Sequence, residues 1–183
     1  MSEGSAQPKA VTIEFKGIPK EQLAQVWERL QAGEPLNEGE QLLARSMADH
    51  PHWFPYFQAV GIFERGDERY PGDVNPFLHV NLHMVIALQL NRGRPKIAPR
   101  YYQARLERGE EPHEIIHQML ELFKRQLVQN LSQDSSGGGR VNFAGYQKSL
   151  RALMKLPRDR LWSRLGFSTP PLLHPEASLP VEL

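Results

Sequence analysis

The chain contains no cysteine in its 183 residues. Disulfide frameworks, thiolate zinc sites and iron–sulfur clusters are therefore excluded. It also lacks any apolar run near the roughly 20 residues that cross a bilayer, so no membrane span is expected. The opening MSEGSAQPKA has no apolar signal core, which predicts a cytoplasmic rather than a secreted protein. No Gly-rich phosphate loop, G-x-S-x-G elbow, Ser/His/Asp arrangement or internal repeat is legible. Strand-forming sequence is scarce as well: only Val11-Thr12-Ile13-Glu14-Phe15 alternates apolar and polar.

What is present reads as helix. An apolar content of 40% with 23% charge suits an ordinary globular chain of this length. Leu23, Val26, Trp27 and Leu30 form a helical stripe over residues 20–32, closed by Gly33. Asn37 and Glu40 have the spacing of a capping box for a second helix, which carries Leu42, Leu43 and Met47 and ends before Pro51. The aromatic residues 52–63 suggest a helical turn against the core, followed by a polar loop at 65–73. Asn75-Pro76 is a strong start for a helix running to Leu90 that is apolar almost all round, hence buried on most faces. A basic loop at 92–99 precedes a short helix at 100–108, stopped by Gly109. Pro112 then opens a helix to about residue 131. Asn142 is placed to cap a last long helix to about Leu156, with a short turn around Leu161-Trp162-Leu165. These elements predict an all-α, single-domain helical bundle with at most one short N-terminal strand. Its parts would be a polar leader (1–19), a helical domain (20–165) with a flexible Ser/Gly linker (133–140), and a Pro-rich tail (166–183).

Four of the seven histidines fall into two pairs of equal spacing, His79/His83 and His113/His117. On a helix, a spacing of four sets side chains about 40° apart on one face. His113, Glu114, His117 and Glu121 share an arc of about 100°, bordering the apolar stripe of Ile115, Met119, Leu120 and Phe123. Helical bundles build metal sites from such inward-facing ligands one turn apart. The spacing is similar to the ligand pattern of hemerythrin-like and other histidine-rich bundles. The expected site is a buried transition-metal centre, zinc or iron, held by His79, His83, His113, His117 and Glu121. Glu114 would serve as an orienting carboxylate or general base. Such an ion would be structural, or hydrolytic or redox-active.

Blander readings stand beside it. His113-Glu114-Ile115-Ile116-His117 fits the H-E-x-x-H of metallopeptidases, but the chain has little strand sequence for the sheet such enzymes use. The histidines could instead be core residues satisfied by Glu114, Glu121 and backbone carbonyls. His50-Pro51-His52-Trp53 reads as a helix end that packs, and His174 as incidental. Charge is unevenly distributed: residues 1–73 carry 12 acids against 7 bases, whereas residues 140–164 carry 7 bases against one acid. Lys148, Arg151, Lys155 and Arg158 thus form a candidate anion-binding face. The competing function is a non-catalytic module that binds nucleic acid or a protein partner through this basic helix.

Asn75-Pro76-Phe77-Leu78-His79, followed by Leu82-His83, Ile86 and Gln89, resembles a bacterial family named domain of unknown function 1841. In that family an N-P-F-L-H-x-x-L-H helix precedes an H-E-x-x-H helix. The resemblance spans about residues 20–156, more loosely at 46–53 and 94–95. It implies that His79, His83, His113, Glu114, His117 and Glu121 occupy the family's positions. Ala87, Leu88, Ile116 and Arg125 stand where acids are common, which implies a drier or altered site here. The family name implies no reaction.

Overall fold

Side chains that replace the missing backbone partners of a first helical turn set two of the helix starts. In the computed structural model, which describes residues 12–14, 17–59, 74–133 and 140–168, Asn37 and Glu40 form a reciprocal capping box at the start of α2 (Glu38–Ala48). The Asn75 side chain accepts from the backbone N–H groups of Phe77 and Leu78, and Pro76 fills the first position of α4 (Pro76–Arg92). Gly93, at φ 60°, ends α4 in the left-handed conformation that a Cβ disfavours.

The remaining helices are α1 (Lys20–Gln31), α3 (Phe54–Gln58), α5 (Ile97–Leu106), α6 (Pro112–Gln133), α7 (Phe143–Leu153) and α8 (Arg158–Arg164). A 3-10 turn, Pro51–Trp53, joins α2 to α3. The architecture is an all-α helical bundle. Helix α5 begins three residues before the expected 100, taking in Pro99. Proline is tolerated there because a first-turn N–H has no helical acceptor anyway.

At most one strand was expected; among the described residues two are found. Thr12–Glu14 pairs antiparallel with Arg140–Asn142, Ile13 lying opposite Val141. A strand requires a ladder partner, and local periodicity cannot identify one that is 128 residues away and only three residues long. The expected loop at 65–73, the Ser/Gly segment 134–139 and the tail beyond residue 168 lie outside the described residues.

Two apolar clusters form the core. Leu23, Val26 and Trp27 of α1, Leu43 and Met47 of α2, and Phe57 of α3 gather around Phe77 and Val80 of α4. Leu82 and Ile86, further along α4, pack with Tyr101, Met119, Phe123, Tyr146, Leu150 and Trp162 of α5 to α8. Helix α4 serves both clusters, which explains why it is apolar nearly all round. Packed against α2 on one side and α6 on the other, it is the spine of the molecule.

Asn81 is a polar residue on this spine, 4% exposed, and its amide is fully used. Its oxygen accepts from the Ile18 N–H at 2.8 Å. Its nitrogen donates to the carbonyls of Ile18 (3.1 Å) and Phe77 (2.9 Å). The segment entering α1 is thereby fastened to α4. Asn81→Ala is expected to destabilise the fold by about 1–3 kcal/mol, the cost of leaving such backbone groups partnerless, as measured by urea unfolding.

Candidate metal centre

A proline after a helix end leaves the last carbonyls without helical donors. His50 supplies one. Its Nδ1–H donates to the Ser46 carbonyl at 2.7 Å, because a carbonyl can only accept. That bond fixes the tautomer of a neutral His50 ring and directs the Nε2 lone pair away from its own helix. It points at the histidines of α4 and α6.

Five imidazole Nε2 atoms meet there. His50 lies 3.2 Å from His79 and 3.4 Å from His117. His83 lies 3.0 Å from His79 and 3.1 Å from His117, and His117 lies 3.2 Å from His113. His79 and His83 stand one turn apart on α4, His113 and His117 one turn apart on α6, and His50 comes from the end of α2. His50 and His83 are buried; the other three are half-buried. The ligand atoms of His50, His83, His113 and His117 all lie within 4.8 Å of one another, so this cluster can hold a metal ion. His79 stands outside that quartet but touches two of its members.

The nitrogen contacts are more numerous than hydrogen bonding can satisfy. An imidazole Nε2 has one in-plane position, occupied either by a proton or by a lone pair, so it makes one good hydrogen bond. The Nε2 of His117 has three nitrogen neighbours within 3.4 Å. Five such atoms can make two hydrogen bonds among themselves, leaving most of the five contacts unserved. A cation accepts every lone pair at once. Imidazole nitrogens bound at about 2.1 Å lie roughly 3.0 Å apart around an octahedral ion and roughly 3.4 Å apart around a tetrahedral one. The contacts here span 3.0–3.4 Å.

Proton binding is disfavoured in the same place. Burial, then the charges that His50 and His113 would carry, pushes the His79 imidazole down to about 2. Burial and then His117 and His79 hold His83 well below the ordinary histidine range. Trp53 lies over the cluster, stacked on the His50 ring with centroids 4.8 Å apart and edge-on to His79 at 4.6 Å.

The two expected carboxylates are placed differently. Glu114 Oε1 accepts from Arg158 Nε at 2.6 Å and from Trp162 Nε1 at 2.7 Å, which ties α6 to α8. A residue one step from His113 is rotated about 100° round the helix, enough to face another neighbour. Glu121 is half-buried and lies 3.7 Å from Lys124; it is not in the group of ligand atoms. His50, read from sequence as a packing residue, joins the cluster instead. The available signal was Pro51, which ends α2 and exposes the Ser46 carbonyl to a histidine four residues on. His52 packs on Trp53 at 4.6 Å, and His174 lies outside the described residues. Of the candidate anion-binding residues, Lys148, Arg151 and Lys155 are exposed, whereas the Arg158 guanidinium is engaged with Glu114.

A family model described as Domain of unknown function (DUF1841) matches residues 19–141, which include all five histidines of the cluster. Comparison with curated proteins and with solved structures found no match. Among the described residues, no helix is long and apolar enough to cross a membrane.

Because His79 and His83 are held neutral in the fold but have ordinary pKa values when unfolded, acid favours unfolding. Stability is complete above about pH 6.5 and declines below it, by about 1.4 kcal/mol per pH unit for each of the two histidines. Urea unfolding of chelator-treated protein at pH 7.5, 6.5 and 5.5 measures this. A flat profile would show that the rings are not held neutral.

Proposed function

The chain belongs to the family described as Domain of unknown function (DUF1841), and we propose that it binds one divalent transition-metal ion, zinc or iron, through its histidine cluster. The carrying observation is the crowding of Nε2 atoms at His117, which a shared cation resolves and a hydrogen-bond network does not. An all-imidazole donor set suits zinc, iron and their neighbours rather than calcium or magnesium, which prefer oxygen. Zinc would use four ligands, matching the quartet of His50, His83, His113 and His117. Six-coordinate iron would draw in His79 and retain one position for water or substrate.

The ion would join the C-terminal end of α2, the first half of α4 and the N-terminal part of α6, and so both apolar clusters. Binding the folded state alone stabilises it by about 2.7 kcal/mol at a hundredfold excess over Kd, or roughly 5–10 °C in Tm for a chain of this size. The Glu114 contacts favour a structural or redox role over peptide hydrolysis, since the carboxylate that would activate water is held by Arg158 and Trp162.

Elemental analysis of protein purified without a histidine tag is expected to find one zinc or iron per chain. Chelation should lower Tm by the amount above, and His83→Ala or His117→Ala should remove the ion. Protein that neither retains an ion nor takes up added zinc or ferrous iron would refute the reading. Glu114→Gln is expected to lower stability by about 1–3 kcal/mol, through the weakened bond to Arg158, while metal content stays unchanged. Loss of metal in that variant would return Glu114 to the site.

A further inference from the structure

The basic residues at the C-terminal end have a partner surface that sequence reading did not join to them. Residues 92–108 and 140–164 hold 13 of the chain's 22 basic residues and only 2 of its 21 acidic ones, leaving 9 bases against 19 acids elsewhere. In the fold these two stretches are neighbours. Helix α5 packs beside α7, and the Arg105 guanidinium donates to the Leu156 carbonyl just past the end of α7. Both helices bury their apolar residues in one cluster, Ile97, Ala98 and Tyr101 from α5, Tyr146 and Leu150 from α7. Their cations remain in solvent: Arg94 and Lys96 just before α5 and Arg100 in its first turn, Lys148 and Arg151 on α7, and Lys155 in the turn that follows it. On α7, Lys148 and Arg151 are three residues apart and so share one face of the helix.

We propose that the exposed cations of α5 and α7 form a binding surface for the phosphate backbone of a nucleic acid strand. Collecting like charges on one part of a molecule of net charge +1 costs self-repulsion, which a polyanion relieves. A membrane surface fits less well, because the exposed large apolar residues found among the described ones, Val74 and Leu78, belong to the start of α4 and offer α5 and α7 nothing to insert. The surface is made from different side chains than the histidine cluster and does not depend on a bound ion.

Fluorescence anisotropy with a labelled single-stranded RNA of about 20 nucleotides, and with DNA of the same sequence, tests this on the full-length protein. Saturable binding is expected at about 50 mM salt. Contact with three or four phosphates would make log affinity fall against log salt with a slope of about −2 to −3. Arg151→Glu with Lys155→Glu should weaken binding at least tenfold with unchanged circular dichroism, and Arg151→Gln with Lys155→Gln by a smaller factor. Preference between RNA and DNA identifies the source of the phosphates. The proposal is overturned if neither strand binds, if the charge-reversed protein binds as well, if polyglutamate competes as effectively as RNA, or if phosphatidylserine vesicles capture the protein and nucleic acid does not.

Discussion

An imidazole nitrogen offers one lone pair in one direction, and this protein brings several of them to a single point. That convergence constrains everything near it. The two histidine pairs need α4 and α6 side by side with their faces in register. The fifth ring needs α2 to end where its last carbonyls can orient an imidazole across the gap. The point lies where the two apolar clusters meet on α4, so the site sits at the junction of the α1–α3 half and the α5–α8 half.

Beside the cluster, the adjacent face of α6 is fixed by polar contacts. Glu110, just before α6, accepts from Arg105 Nε at 3.0 Å and from Gln118 Nε2 at 2.8 Å, while Tyr101 donates to Gln118 at 2.9 Å. Glu114 meets Arg158 and Trp162 one turn further on. Arg105 is fully buried, and a buried guanidinium is tolerable only with a carboxylate and further acceptors in place. These bonds leave α6 little rotational freedom, and His113 and His117 inherit that rigidity. Ligands held by a supporting layer of this kind lose less entropy when an ion arrives.

The charge arrangement follows a separate logic. Within the histidine centre, burial holds the His79 and His83 imidazoles below the ordinary histidine range, which disfavours their charged forms. The cations of α5 and α7 are solvated and far more numerous than nearby acids. Burial governs the first region and exposure the second. The proposed metal centre and the proposed phosphate-binding surface therefore use separate side chains in regions of opposite exposure.

The helices were readable from sequence because their signals are local. The Asn37/Glu40 box, Asn75-Pro76, Gly33 and the i, i+4 histidines each act within one or two turns. The same locality made His79, His83, His113 and His117 visible as candidates. Their meeting, the entry of His50, the diversion of Glu114 to Arg158 and Trp162, the pairing of Thr12–Glu14 with Arg140–Asn142 and the joining of α5 to α7 are contacts between distant segments. Periodicity fixes which way a side chain leaves its own helix axis. Which neighbour waits there depends on how the helices pack, and that was decided by the two apolar clusters closing around α4.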